Sequence, residues 1–224
     1  MENYTLELKK YITEHKNDLN RGAMEAYMKH NFPFLGIKAP ERVFLTKQFI
    51  KIYGDPVSLD TIKEIWDLEG REFQYIALAL LDRQYKKAEK ERIIFYENLV
   101  IEKSWWDTVD TIAGRLISFH FLKYPELIDE YSEKWITSEN MWLNRVALLF
   151  QMKFKDKTDQ KRLFKYCQYM SNRNEFFIQK AIGWALREYS YIDSKAVESF
   201  IHMTDLAPLS KREGLKNIDK LRKQ

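Results

Sequence analysis

The chain has 224 residues, 45% of them hydrophobic, with 37 Lys plus Arg against 33 Asp plus Glu and a net charge of +4. That length and apolar share suffice to bury a substantial core, which excludes a disordered chain, and the charge bias is too mild for a histone-like protein. One cysteine, Cys167, excludes an internal disulfide, and four scattered histidines offer no zinc-ligand spacing, so neither metal nor cofactor is expected.

In chain order, the opening MENYTLELKK carries acids and lysines where a secretory leader needs an apolar stretch, and no apolar run reaches the roughly 18 to 20 residues of a membrane span. A soluble cytoplasmic protein without a membrane partner is expected. Seven glycines and five prolines leave little punctuation, unlike the closely spaced turns of an all-β domain. A helical segment is expected over Ala23–His30, stopped by Asn31 and Pro33, and the next begins at Pro40, since proline is tolerated in a first turn. Pro56, Pro125 and Pro208 mark further breaks. Between them apolar residues recur at three and four, as at Tyr75, Ile76, Ala79 and Leu80, and again at Leu143, Ala147 and Phe150.

The breaks themselves recur. Gly70, Ser104, Asn140, Asn174 and Pro208 are plausible caps or stops separated by 34, 36, 34 and 34 residues. Each interval has room for two helices of about 12 to 15 residues, the unit of an α-solenoid of the HEAT or armadillo kind. Such units bury their faces by stacking and leave a concave surface, where function is expected. With a repeat of about 35 residues, Asp110, Arg145 and Lys180 hold equivalent positions in three successive units. Trp106 lies four residues before Asp110, and Trp184 four after Lys180. Residues at i and i+4 share a helix face, so an aromatic, an acid, a base and a second aromatic are expected on one side of the stack. Each alone has a plainer reading: tryptophans fill cores, an Asp–Arg pair is structural, and Lys180 is solvated. Spacing leaves open whether the shared face is concave or buried.

Five stretches carry a resemblance: YMKHNFPFLGIKAPER (27–42), SWWDTVDT (104–111), WLNRVALLFQ (142–151), EFFIQKAIGWALREY (175–189) and LAPLSKRE (206–213). With these stretches in this order, the chain resembles the AlkD-like DNA alkylation repair family of glycosylases over residues 20–218. The resemblance implies an all-α, right-handed αα superhelix of about six HEAT-like helix pairs, forming one monomeric domain over residues 1–224. Its concave face would bind duplex DNA containing N3- or N7-alkylated purines, which places the protein at the nucleoid when it acts. Position by position, the resemblance implies that Asp110 is the catalytic acid, that Trp106 and Trp184 flank the lesion, and that Arg145 holds a phosphate. Tyr27, Arg42, Lys180, Arg187, Lys211 and Arg212 are further DNA-binding candidates, each of which reads equally well as part of a solvated face. The chain departs from some members at Val43, where they carry a basic residue.

These residue types suit that chemistry. A purine alkylated at N3 or N7 is cationic and already a good leaving group, so the remaining task is to stabilise the oxocarbenium-like sugar and hold a water, and a carboxylate does both. Indole faces attract a cationic lesion, and an arginine pins a phosphate through paired hydrogen bonds. The family resemblance further implies that the lesion stays stacked instead of being extruded into a pocket. A non-catalytic HEAT-like scaffold that binds protein or DNA is the main alternative, distinguished by having no need for a carboxylate among phosphate-binding groups. An RNA-binding repeat protein would want a repeated polar code, and Asp110, Arg145 and Lys180 do not form one.

Overall fold

Short polar side chains and prolines set where the helices start. The computed structural model describes residues 4–56 and 58–222, and no strand occurs among the described residues. No helix among them is long and apolar enough to cross a membrane. The expected single domain runs over 1–224, of which residues 1–3, 57 and 223–224 lie outside the described residues. The chain divides into two compact units, one ending at Lys86 and one beginning at Lys87.

The first unit holds α1 (Tyr4–Thr13), α2 (Asp18–Tyr27), α3 (Ala39–Tyr53), α4 (Leu59–Asp67) and α5 (Arg71–Arg83). Asn17 caps α2 by accepting from the Leu19 amide at 3.1 Å, Ser58 caps α4 by accepting from Thr61 at 3.2 Å, and Pro40 sits in the first turn of α3 as expected. The helix expected over residues 23–30 is displaced: α2 starts at Asp18 and stops at Tyr27, because Lys29 and His30 take left-handed φ values of 55° and 57°. Packed against both α3 and α4, α5 is buried nearly all round and not along one stripe. Its fully buried Glu72 accepts the backbone amides of Leu35, Gly36 and Ile37 at 2.9, 2.9 and 3.0 Å, which fixes the segment leading into α3. Gly36 must be glycine here, since φ is 86° and a Cβ would stand 1.9 Å from the Asn17 carbonyl oxygen.

The second unit begins with α6 (Arg92–Ile101) and α7 (Trp106–Thr111), which continues through a π-helical turn (Ile112–Ile117) into α8 (Ser118–Lys123). After them come α9 (Ile128–Ile136), α10 (Met141–Leu149), α11 (Gln160–Tyr169), α12 (Phe176–Tyr189), α13 (Ser194–Met203) and α14 (Pro208–Leu221). α10 packs against α7 and α12, and α12 against α14, so these four share a layer; α9, α11 and α13 pack behind them. Helices start at Arg71, Trp106, Met141 and Phe176, at the same 35-residue offset that separates Asp110 from Arg145. Asn140 caps α10 as expected, accepting from Trp142 at 2.9 Å, and Pro208 opens α14. Two caps shift by one residue, to Trp105 and Glu175. The Ser104 hydroxyl instead donates to the Val100 carbonyl at 2.6 Å, closing the preceding helix.

Candidate active site

Asp110 is carried on α7, one turn beyond Trp106 and just before the π-helical turn, a local widening that recurs at functional sites. Arg145 reaches it from α10: Nε donates to Oδ1 at 2.6 Å and Nη2 to Oδ2 at 2.8 Å. The third nitrogen, Nη1, donates to the Phe177 carbonyl of α12. Three neighbouring helices are thus tied through one guanidinium. The Arg145 side chain is 5% exposed and that of Asp110 15%, so the pair is recessed but open at the carboxylate. Burial pushes the Asp110 carboxyl above the ordinary carboxylate range, against the opposing pull of Arg145.

The six tryptophans separate by environment. Trp66 and Trp135 are fully buried core residues. Trp105 and Trp142 pack on the Phe177 ring, each with centroids 5.1 Å apart, and back the Asp110–Arg145 pair. Trp106 and Trp184, only half-buried, line a cleft of 330 Å³ together with Asp110 and Arg145. The four-residue constellation expected from spacing therefore meets in one place, on the face of the α7–α10–α12–α14 layer.

The same cleft contains Lys180 and Arg187, and three residues that the sequence did not single out: Phe176, Phe177 and Glu213. Glu213, nearly buried on α14, accepts from Lys180 at 3.0 Å, Arg187 at 3.1 Å and Lys216 at 2.6 Å. Burial opposes its ionisation, but hydrogen bonds from Lys216 and Lys180 overcome that and hold the carboxyl at about 2. α14 approaches α12 closely because residue 183 is glycine: a Cβ there would meet the Glu213 Cβ at 2.4 Å and the Ser210 carbonyl oxygen at 2.9 Å. Ser210 also donates to the Gln179 carbonyl at 2.9 Å. Spacing gave no direct signal for Glu213, since carrying the Asp110, Arg145, Lys180 register one unit further lands on Leu215, two residues beyond it.

The family model for DNA alkylation repair enzymes matches residues 8–218. The chain belongs to this family. A solved structure of a predicted DNA alkylation repair enzyme from Enterococcus faecalis is similar over 92% of this chain and 97% of its own, with 36% identity and a TM-score of 0.85. No curated protein matches. Family membership makes DNA the substrate polymer and alkylation repair the broad role, and the solved relative extends the likeness to the whole helical architecture.

The remaining residues indicated by the resemblance lie outside the cleft. Lys211 is half-buried and Arg212 exposed, both in the first turns of α14, whose N-terminal amides favour anions. Tyr27 and Arg42 belong to the first unit. Tyr27 is exposed at the end of α2, and the Arg42 guanidinium lies 4.3 Å from the centre of the Tyr75 ring. Among the described residues, no group of three or more His, Cys, Asp and Glu is arranged to hold a metal ion.

Proposed function

We propose that the chain is a DNA glycosylase that hydrolyses the N-glycosidic bond of cationic N3- and N7-alkylated purines, such as 3-methyladenine and 7-methylguanine, in duplex DNA. It acts as a monomer, without a cofactor, on a lesion that stays in the stack. The observation that carries this reading is a recessed carboxylate, fixed by a two-point arginine bond and flanked by two half-buried indoles, in a cleft that also holds Lys180 and Arg187.

In the reaction, the C1′–N bond breaks and its electron pair leaves with the base, neutralising the base's positive charge. Charge then builds on the sugar, where Asp110 faces it. Water adds to C1′ and its proton passes to the carboxylate or to solvent, so atoms and charge balance. Trp106 and Trp184 present electron-rich faces to the cationic nucleotide and its electron-poor sugar. Three of the five Arg145 N–H groups are used to hold Asp110 and Phe177, which leaves two for a phosphate. Lys180 and Arg187, kept in place by Glu213, supply further phosphate contacts, as do Lys211, Arg212, Tyr27 and Arg42. A scaffold that only grips DNA gains nothing from a carboxylate at this position, because it repels phosphate.

The test is to incubate the protein with methylated duplex DNA and identify released bases by chromatography. Release of 7-methylguanine or 3-methyladenine above the spontaneous rate is the expected result; none above that rate would leave the scaffold reading in its place.

A further inference from the structure

A second charged hollow lies in the same unit, at the far end of the helical run that carries Asp110. It measures 550 Å³ and is lined by Arg115 and Phe119 from the π turn and α8, and by the connection between α10 and α11, where KFKDK places Lys153, Lys155 and Lys157 around it. Asp156 is the one acid in its lining.

Three features distinguish this hollow from an ordinary solvated surface. The first is unbalanced charge. On the α9–α11 face, by comparison, three basic side chains are neutralised: Lys134 pairs with Glu97 at 2.7 Å, Arg162 with Asp129 at 2.5 Å and Lys165 with Glu133 at 2.7 Å. Among the described residues no ion pair engages Lys153, Lys155 or Lys157, although all three are exposed. The second feature is rigidity. Gln151 closes the base of the connection, accepting from the Asp159 amide at 2.7 Å and donating to the Asp159 carbonyl at 3.3 Å. Phe154 is buried against Phe150 with ring centroids 5.6 Å apart, and Lys157 N donates to the Phe154 carbonyl at 2.9 Å. Lys155 is held at φ 52°, a left-handed conformation that non-glycine residues rarely adopt. A loop left free would relax out of it.

The third feature is position. Arg115 follows Asp110 by five residues on one continuous helical run, roughly 6 to 8 Å along the axis at helical rise, which is comparable to two steps of a DNA strand. We propose that Arg115, Lys153, Lys155 and Lys157 form a second phosphodiester-binding site, which grips the DNA backbone beyond the nucleotide held at Asp110. The proposal rests on the glycosylase reading for its polymer. A membrane surface fits less well, since the apolar residues, Phe119, Leu122 and Phe154, form the floor and Arg115 covers the Phe119 ring at 4.5 Å, leaving no exposed apolar prong to insert.

The experiment uses the full chain with Lys153, Lys155 and Lys157 all replaced by Gln, a second variant with all three replaced by Arg, and circular dichroism to verify folding. Binding to an undamaged duplex is followed by fluorescence anisotropy across a salt titration, beside binding to phosphatidylserine–phosphatidylcholine vesicles and base release by the wild type. In the Gln variant the slope of log affinity against log salt should fall by about 2 to 3, with affinity at moderate salt down about tenfold or more, while the Arg variant keeps both. An unchanged slope and affinity in a folded Gln variant overturns the site whether or not the wild type releases base. So does a dependence on these lysines seen with vesicles but not with DNA. If the wild type releases no base and the Gln variant still loses DNA affinity and salt slope, the site stands and the glycosylase reading fails.

Discussion

Arg145 holds Asp110 across 35 residues of sequence by two parallel bonds, Nε to Oδ1 at 2.6 Å and Nη2 to Oδ2 at 2.8 Å. This geometry orients the carboxylate before any DNA arrives, and preorganisation of this kind contributes most to transition-state electrostatics. A carboxylate that acts only as the sugar gains charge should matter for rate and not for affinity. A unit charge pair about 4 Å apart at an effective dielectric near 20 is worth about 4 kcal/mol, or roughly three powers of ten in rate. Asp110→Asn is therefore expected to slow 7-methylguanine release severely while DNA affinity holds or rises, because one negative group leaves a phosphate-binding surface. Single-turnover release and equilibrium binding on the same oligonucleotide check this, with spontaneous depurination subtracted. A wild-type rate in Asp110→Asn would make the carboxylate structural.

Arg145 itself should be costly to remove. Arg145→Ala leaves Asp110 buried without its partner and frees the Phe177 carbonyl, and breaking a buried pair from one side typically destabilises by about 3 to 5 kcal/mol. Urea denaturation of the variant should show a loss of that order, together with slower base release and weaker DNA binding. A stability within about 0.5 kcal/mol of wild type would mean that the pair is not the tie between α7, α10 and α12 described above.

Much of this site was legible in the sequence, and the reason is periodic. Helices that start at Trp106, Met141 and Phe176 at equal intervals place Asp110, Arg145 and Lys180 one turn into successive helices, so spacing alone put them on one face. Spacing does not give depth. Trp105 and Trp106 are neighbours, yet one is backing and the other lines the cleft, and only packing against Trp142 and Phe177 decides which. The π turn at 112–117 has no composition mark, and the early end of α2 depends on Lys29 and His30 adopting a conformation that their side chains do not announce. Glu213 was missed because an acid within SKRE reads as a solvated charge, whereas the close approach allowed by Gly183 turns it inward among three cations.

Glu213 gives a prediction with a defined pH window. Its folded-state carboxyl lies near 2, below the ordinary 4.5, so its contribution to stability is fully present above about 4.5 and is lost as pH falls through about 2. Glu213→Gln should destabilise the protein by about 1 to 3 kcal/mol at neutral pH, and the gap to wild type should narrow as pH falls from 4.5 toward 2. Released from their anchor, Lys180 and Arg187 should also give a steeper salt dependence of DNA binding. Thermal denaturation across a pH series measures the first effect; a gap that stays constant down to about 2 would assign the loss to packing against Gly183 and not to charge.

Asp110 behaves in the opposite sense. Burial raises its folded-state carboxyl above the ordinary 3.8, so the folded protein holds that proton more tightly than the unfolded chain does. The sign follows from linkage: this group favours folding below its unfolded value, and the advantage is lost as pH rises through the folded value. At neutral pH the ionised Asp110 therefore contributes less to stability than a carboxylate at the ordinary value would. Two results are expected. Asp110→Asn, which resembles the protonated form and keeps an oxygen to accept from Arg145, should destabilise less at neutral pH than Arg145→Ala does, and its difference from wild type should shrink in acid. Base release by the wild type should decline on acidification from a higher pH than an ordinary carboxylate would give, since only the ionised form faces the developing sugar charge. Single-turnover rates on 7-methylguanine DNA, corrected at each pH for acid-promoted spontaneous loss, provide the profile. An Asp110→Asn variant as unstable as Arg145→Ala at neutral pH, with an acid limb at the ordinary carboxylate position, would show that Arg145 outweighs burial.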